Sequence, residues 1–520
     1  MLKSSGGLAV ATFTSRLLGM VREIVYANFM GTTWVAGAFA FAFQIPNLFR
    51  RLLGEGALTV SFIPIFKEKE ISAGEKEMWH AANAVISGLI FACLAIIVLA
   101  VLGVSLALAW GTYSETTRLM LELLRIMFPY LLLVCLAAVF IGMLNARGRF
   151  FIPALGAIML NLVMIATVLF LAPRFGKTLP TQIFALAFGV LLAGIAQMLF
   201  QLPALREEGF RFRWVSPWKN ETVRRVVRQM LPGTIGVAAF QINVLVTNAV
   251  ALRLDGSIVA SFRCAVSLME LPQGVFGLSL ATYLLPTLAG LAVDKKMSEF
   301  RSTLAQGLGY MVFINALAAV LLFTLGEPII RLLFEHGEFT ALSTRDTTLA
   351  LVCLAPGLVA FSMVNILARA FYALGDTGTP MRISIACFAI NLLVVFVLIG
   401  PYRQGGMGLA NTVSAIFNVG FLLVSLRKKI GRLELSGLRK GLVGIFASAL
   451  VAGMISFETN RWLENNLGHA RLTLKLAAVF VPMLMATLAY FALASWFKIR
   501  FAGDLIGVLK EQFKKLWKAT

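Results

Sequence analysis

Long apolar runs separated by short polar segments dominate the pattern along this chain. A transmembrane helix needs about 20 mostly apolar residues to cross the hydrocarbon core. We expect fourteen such spans, near 8–30, 34–64, 80–110, 118–145, 151–172, 182–205, 226–252, 257–291, 303–325, 344–373, 379–400, 406–426, 438–457 and 473–497. The charged stretch 327–339 is too short to cross and predicts an interfacial helix.

Composition supports a membrane protein. The 520 residues are 59% hydrophobic and 14% charged, whereas soluble domains are about 45–50% apolar and about 25% charged. A soluble cytoplasmic enzyme is therefore excluded. The predicted fold class is an all-α polytopic membrane protein.

The excess of positive charge predicts topology. Lys and Arg total 46 against 25 acidic residues, a net charge of +21. In a soluble protein this would suggest nucleic acid, but cytoplasmic loops of membrane proteins collect Lys and Arg. With fourteen spans, one side carries about three times as many cations as the other. We expect both termini on that cytoplasmic side, and no nucleic-acid partner.

The chain also contains an internal repeat. Three markers recur 227 residues later: Pro129 as Pro356, Gly148 as Gly375, and Pro153 as Pro380. Six spans separate the copies, which favours two six-helix bundles related by an axis along the membrane normal. The predicted organisation is a bundle at 1–220, a second bundle at 221–430, two additional helices at 431–500 and a basic cytoplasmic tail at 501–520.

Residues for covalent chemistry are sparse. The three histidines and five cysteines show no metal-ligand spacing, and no paired acidic residues lie within the spans. We expect no catalytic residues, no metal and no cofactor.

Charge at lipid depth is the main functional signal. An arginine at the bilayer centre is costly and normally faces a bundle interior or a water-filled cavity. Arg16 and Arg22 lie on the first span, and Arg16 is the stronger candidate for the cavity. Glu23 follows Arg22, but we expect it to point elsewhere on the helix. A structural ion pair with another helix is the alternative for each arginine.

The second and eighth spans contain similar combinations of charge and helix-weakening residues. In the second span, Arg50 lies among Pro46, Asn47, Gly54, Glu55 and Gly56, which predict a break bordering a cavity. In the eighth span, Arg263 and Glu270 share a helix face, so mutual pairing and a substrate contact are both open. Because guanidinium groups bind phosphate through a planar fork, the four arginines predict a pyrophosphate site.

These segments resemble the MurJ (MviN) family of lipid II flippases, within the multidrug/oligosaccharidyl-lipid/polysaccharide exporter superfamily. The resemblance rests on SRLLGMVRE at 15–23, QIPNLFRRL at 44–52, GEGA at 54–57, LLFEHGEFT at 332–340 and AFYA at 370–373. It covers essentially the whole chain.

The resemblance implies an alternating-access flippase that moves undecaprenyl-pyrophosphate-linked disaccharide-pentapeptide to the outer leaflet for cell-wall synthesis. It implies that Arg16, Arg22 and Arg50 are required cavity arginines and that Glu55 is an acidic portal residue. It also implies that the last two helices form a groove for the polyprenyl tail. The expected location is the bacterial cytoplasmic membrane.

Three positions depart from the family pattern. Gly37 replaces an aspartate, Gln44 a lysine and Ser267 an arginine. Arg263, one helical turn before Ser267, could return a guanidinium to nearly the same face. Coupling to a cation or to the membrane potential stays open.

Lipid II and membrane lipids are the expected partners of a monomer, with contacts to the cell-wall synthesis machinery as a further expectation. A drug/cation antiporter, another polyprenyl-linked oligosaccharide flippase and a cell-wall scaffold are the alternatives.

Overall fold

The computed structural model describes residues 2–52, 57–218, 220–274, 278–431, 436–468, 471–505 and 507. These residues form helices and no strand. The helices are α1 Leu2–Met30, α2 Trp34–Phe49, α3 Ala57–Trp110, α4 Glu115–Met127, α5 Tyr130–Ala146, α6 Phe151–Ala166, α7 Leu179–Glu207, α8 Glu221–Leu254, α9 Gly256–Pro272, α10 Leu278–Val293, α11 Met297–Thr324, α12 Gly326–Phe334, α13 Ala341–Leu354, α14 Leu358–Ala373, α15 Gly378–Ile430, α16 Ser436–Leu467 and α17 Leu472–Trp496.

The all-α membrane class is confirmed. A helix satisfies its backbone groups internally, as a segment within lipid must. Among the described residues, eight helices are long and apolar enough to cross a membrane, or nine if the bent pair α4–α5 is one span. The count of fourteen spans stays a prediction. Two very long helices contain non-helical residues, α3 at Gly74 and α15 at Arg403, where predicted loops separate spans.

The chain forms two compact units, Met1–Ala260 and Ser261–Thr520. In the first unit α8 packs against α2 and α3, and α5 packs against α3 and α7. The predicted bundle boundary at residue 220 concerned transmembrane bundles and stays a prediction.

An aromatic row crosses the core of the first unit. The rings of Tyr26 and Phe39 lie 6.1 Å apart, those of Phe39 and Phe43 6.2 Å, and those of Phe43 and Tyr130 5.9 Å. This row links α1, α2 and α5, and it fixes Tyr130 in the interior, where that side chain is 1% exposed.

The second unit is built around α11, which packs against α13, α14 and α16. The C-terminal helices α16 and α17 pack mainly against each other. Buried Tyr490 on α17 donates a hydrogen bond to the carbonyl of Phe313 on α11, at 2.7 Å. In a dry interior a phenol needs such a partner.

The stretch predicted as an interfacial helix contains α12, which ends at Phe334. Arg331 on α12 pairs with Glu327 on the same helix and, at 2.7 Å, with Glu464 on α16. These contacts attach α12 to the C-terminal helix pair within the second unit. Its position relative to a membrane stays a prediction.

The two copies of the repeat form the same turn. Gly148 follows α5 with φ 80°, and Gly375 follows α14 with φ 74°, a conformation that suits glycine. In the first copy the amide of Arg149 donates to the carbonyl of Leu144, and in the second that of Asp376 donates to Phe371, both at 2.9 Å. These bonds cap the helix ends in the same way.

Charge pairs fix this turn in both copies, but the charges are inverted. In the first copy, Nε of Arg147 and Nε of Arg149 donate to the two carboxylate oxygens of Glu208, just beyond α7, at 2.9 and 2.8 Å. In the second copy the turn carries the acid, Asp376, which pairs with Lys429 near the end of α15. Each turn is thereby attached to a later helix end of its own unit.

Hydrogen bonds lower the pKa of both acids. For Glu208, the bond from Arg147 is the largest cause, and it outweighs the opposite effect of burial. For Asp376, burial alone would raise the pKa, but the bonds from Lys429 and Thr379 outweigh it and bring the pKa well below its ordinary range.

We expect Glu208→Gln to lower the melting temperature of the purified protein at pH 7 by a few degrees. A carboxylate whose pKa is lowered on folding stabilises the fold above its unfolded pKa, near 4.5, and this contribution is lost as pH falls through the folded pKa. The gap between wild type and variant should therefore narrow as pH falls below about 4.5. The measurement is thermal unfolding across pH.

Glu207→Gln is the matched control. Glu207 is 63% exposed and contacts only the periphery of the cluster, through Arg149 at 3.2 Å. Exposed pairs contribute little, so its loss should leave the melting temperature nearly unchanged. Equal changes in melting temperature for the two variants would contradict the stabilising role of the Glu208 carboxylate.

Candidate functional site

The first candidate residues lie on α1. Nη2 of Arg22 is 2.6 Å from Oε1 of Glu23, and the two side chains are 19% and 11% exposed. The guanidinium also lies over the ring of Tyr26, 5.6 Å from its centroid. The expectation that Glu23 points elsewhere is therefore wrong, because two long side chains can meet even from adjacent helical positions. Nε of Arg22 is buried without a hydrogen-bond partner in the described part of the chain.

Arg50 follows the C-terminal end of α2. Pro46 is accommodated inside α2 and is buried, and the helix continues to Phe49. Beyond it, residues 50–52 form a π-helical turn, a wider turn often found at functional sites. Nε of Arg50 donates to Oδ1 of Asn47 at 2.6 Å. The expected break thus follows the proline by one turn.

Tyr130 brings Arg22 and Arg50 into one environment. Both guanidinium groups lie within electrostatic range of this buried tyrosine, whose hydroxyl is 3.5 Å from Oε1 of Gln197 on α7. Tyr130 was not predicted from the sequence. The available signal was its position directly after Pro129, where the chain bends by 46° between α4 and α5.

Arg16 lies six residues before Arg22, about 9 Å along the axis of α1. Its neighbour Ser15 accepts a hydrogen bond through its carbonyl from Nδ2 of Asn161 on α6, at 3.2 Å. Arg16 itself is partly buried. Among the described residues it has no hydrogen bond or ion pair, so its charge is not neutralised there.

The three positions that depart from the family pattern have distinct surroundings. Oε1 of Gln44 accepts a hydrogen bond from Nδ2 of Asn248 at 2.7 Å, which joins α2 to α8. The hydroxyl of Ser267 donates to the carbonyl of Cys264 on its own helix at 2.7 Å. Gln44 therefore joins a polar contact between helices, whereas the bond from Ser267 stays within α9.

Gly37 lies at a backbone-to-backbone contact. A Cβ atom at this position would overlap the carbonyl group of Gly256, and a Cβ atom on Gly256 would lie 2.8 Å from the carbonyl oxygen of Trp34. Glycine at both positions lets α2 approach the start of α9. An aspartate side chain at position 37 has no room in this arrangement.

The remaining candidates belong elsewhere. Arg263, partly buried, and Glu270, exposed, lie on α9 in the second unit. Gly54, Glu55 and Gly56 lie outside the described residues. The structure therefore brings together Arg22, Arg50 and Asn47 with the newly identified Tyr130.

This cluster is chemically suited to binding an anion. The guanidinium group of Arg22 faces the carboxylate of Glu23, and its buried Nε has no hydrogen-bond partner among the described residues. Arginine forks match phosphate oxygens, and charge-assisted hydrogen bonds are strong where water is scarce. Within the described ranges, no group of three His, Cys, Asp or Glu side chains is arranged to hold a metal ion.

We expect Gly37→Ala to destabilise the protein by about 1–3 kcal/mol, because added atoms must displace packed backbone. Gly37→Asp should destabilise it further, although it restores the acid typical of the family. The measurement is thermal unfolding in detergent. Gly420→Ala is the matched control, since nothing lies within 4 Å of its Cβ position. An aspartate variant as stable as wild type would refute this packing role.

Comparison with known proteins gives a consistent result. The family model described as lipid II flippase MurJ matches residues 26–490. A probable lipid II flippase MurJ of Rhizobium tropici is 32% identical over 515 residues, covering 97% of this chain and 95% of the relative. The lipid II flippase MurJ of Burkholderia cenocepacia is 32% identical over 433 residues, covering 81% and 83%.

Solved structures show the same fold. A lipid II flippase MurJ in an inward closed conformation matches with a TM-score of 0.77 at 23% identity, over 96% of this chain and 99% of the other. An inward-facing multidrug resistance MATE family transporter of the MOP superfamily matches with a TM-score of 0.64 at 17% identity, over 82% and 99%. From the family match and these relatives, we conclude that the chain belongs to the lipid II flippase MurJ family.

Proposed function

We propose that this protein is a lipid II flippase, which moves the undecaprenyl-pyrophosphate-linked disaccharide-pentapeptide from the inner to the outer leaflet of the bacterial cytoplasmic membrane. The observation that carries the proposal is the pair Arg22 and Arg50 around buried Tyr130, within a chain of this family. An interior with surplus guanidinium groups suits a pyrophosphate cargo.

The arginines divide the task of binding. Arg22 and Arg50 contact the pyrophosphate through their forks, while Glu23 and Asn47 fix their orientation. Arg16 adds a charge that no described carboxylate neutralises. Arg263 contributes from α9 and takes over the role of the family arginine that Ser267 replaces. Such orientation matters because a planar fork binds phosphate well only when it is aligned.

Transport proceeds without covalent chemistry. The headgroup enters laterally from the inner leaflet, binds the arginine site, and is exposed to the other side when one bundle rocks against the other. An inside-negative potential favours return of the unloaded cationic site, by about 2.3 kcal/mol per charge and 100 mV. No cofactor is required, and coupling to a cation is a further option for the same cycle.

The portal is formed by the region after Pro46 and Asn47, with Gly54 and Gly56 around Glu55. The π-helical turn at 50–52 supports this assignment, because it loosens the helix directly before that segment. Glu270, exposed on α9, is the corresponding acidic gating residue of the second unit.

The lipid tail is accommodated by the C-terminal helices. Exposed apolar side chains form a stripe along α16, namely Val443, Phe446, Leu450, Met454 and Phe457. On α17, Phe480, Leu484 and Leu488 form a second stripe at helical spacing. A polyprenyl chain would bury part of this surface while remaining in the membrane.

The proposed topology places both termini in the cytoplasm, since the predicted loops on that side hold most of the Lys and Arg. The protein acts as a monomer in this proposal and contacts the cell-wall synthesis machinery.

A drug/cation antiporter is the alternative with the same fold, as the MATE transporter match illustrates. That activity requires interior carboxylates to exchange a cation for substrate. Here Glu23 is paired with Arg22, and position 37 holds a glycine at a packed backbone contact. A scaffold would not need arginines in the interior. Both features favour the anionic lipid cargo.

Expression of this chain in bacteria depleted of their own flippase should restore lipid II at the outer leaflet. The measurement is accessibility of lipid II to an impermeant labelling enzyme or reagent. A chain that reaches the membrane at normal abundance but restores no labelling would contradict the proposed function. Labelling that persists in the depleted cells without the chain would favour the scaffold.

Arg263→Ala should abolish this restoration, because the second unit then loses its candidate phosphate contact. Arg263→Lys should retain part of it, since a lysine keeps the charge but lacks the planar fork. Arg118→Ala is the control: Arg118 is 72% exposed and contacts Glu122 on its own helix. Full complementation by Arg263→Ala at equal protein abundance would overturn the role of this residue.

A further inference from the structure

The first unit also contains an apolar groove with arginines along it, separate from the cluster of Arg22 and Arg50. A groove with a volume of about 510 Å³ lies between α3 and α8, and Pro217 and Trp218 are among its lining residues. Its floor is apolar, with Leu89, Ala92 and Ile96 of α3 among the lining residues. None of the residues assigned above to headgroup, portal or tail lines this groove.

The segment 211–218, which borders the groove at Pro217 and Trp218, is held in place by side chains of α3. Asn83 donates to the carbonyl of Arg211 at 3.0 Å and accepts from the amide of Arg213 at 3.2 Å. Ser87 accepts from the amide of Val215 at 3.2 Å. The ring of Trp218 then lies 4.6 Å from that of Phe91. An extended segment that would otherwise be loose is thereby fixed along a helix.

Glycine at position 88 lets this segment and α8 lie close to α3. A Cβ atom on Gly88 would lie 3.3 Å from Pro217 and 3.4 Å from Val223 on α8. Farther along, α3 lines the groove as far as Ile96, a length of about 12 Å from Gly88 at helical rise. The groove is therefore a slot lined largely by side chains that suit hydrocarbon.

Two cations also line the slot. Arg224 and Arg228 are exposed, one helical turn apart on α8. Neither guanidinium has a carboxylate partner among the described residues, whereas Arg225 between them pairs with Glu68 at 2.8 Å. Trp218 is 68% exposed beside them, and tryptophan favours the headgroup level of a membrane. An apolar slot, an interfacial aromatic residue and two cations without a described carboxylate partner thus line one groove, as the parts of an anionic phospholipid require.

We propose that this slot binds an anionic membrane phospholipid, with one acyl chain between α3 and α8 and the headgroup phosphate on Arg224 and Arg228. The charge of the two arginines selects an anionic headgroup over a zwitterionic one. The bound lipid fixes α8 against α3. The site is independent of the transported cargo.

The test uses the purified full chain, reconstituted with phosphatidylglycerol that carries a photoreactive group near the end of one acyl chain. We expect cross-links on α3 between residues 88 and 96 and on α8 between 223 and 230. Phosphatidylcholine with the same photoreactive acyl chain should label these peptides at least about fivefold more weakly, because its headgroup has no net charge. Equal labelling by both lipids would overturn the headgroup assignment.

Paired variants separate the two parts of the site. R224Q/R228Q should reduce phosphatidylglycerol labelling of these peptides about fivefold or more. The control R211Q/R213Q removes the same amount of charge from the neighbouring segment and should leave the labelling unchanged. Ala92→Phe should fill the slot and abolish labelling, whereas Ala95→Phe, exposed on the same helix outside the slot, should not.

Each remaining outcome also decides the question. Equal losses in the two double arginine variants would indicate general attraction to an anionic surface and refute the site. Labelling that survives Ala92→Phe would refute the lipid as occupant. Because the readout is lipid labelling, failure of flippase activity would not affect it.

Discussion

The cost of holding guanidinium groups away from water governs this structure. An arginine within lipid is tolerated when other groups complete its hydrogen bonds or when it faces a wet interior. Arg22 meets this demand with Glu23 and the face of Tyr26, and Arg50 meets it with Asn47. These local partners keep both charges in place, while the buried Nε of Arg22 has no hydrogen-bond partner among the described residues. In the proposed function, that donor remains for an incoming anion.

Much of the fold follows from the apolar runs, because a segment in lipid has few ways to satisfy its backbone. The turns at Gly148 and Gly375 were predictable for a related reason, since a left-handed turn after a helix selects glycine. The partners within the site were not predictable. Adjacent positions on a helix do not face each other, so the pair Arg22–Glu23 depends on rotamers. Tyr130, a buried aromatic residue, resembled packing material.

The inverted charges of the repeat show what a shared backbone leaves undetermined. The same capping bonds form in both copies, but arginines on the first turn meet an acid beyond α7, whereas an acid on the second turn meets Lys429. An ion pair between the turn and the later helix end needs opposite charges at a fixed distance, and either partner can carry the positive charge. Sequence symmetry therefore predicts the geometry of such a contact but not its electrostatics.

Gly37 connects packing to charge in the same unit. The contact between Gly37 and Gly256 joins residues far apart in sequence, so no local pattern revealed why the acid typical of the family is missing here. Once α2 and the start of α9 meet backbone to backbone, a carboxylate cannot occupy that position. With that acid excluded, α2 carries no carboxylate at all. In the proposed function, this packing contact favours an anionic cargo, since α2 supplies no negative group to compete for the guanidinium forks.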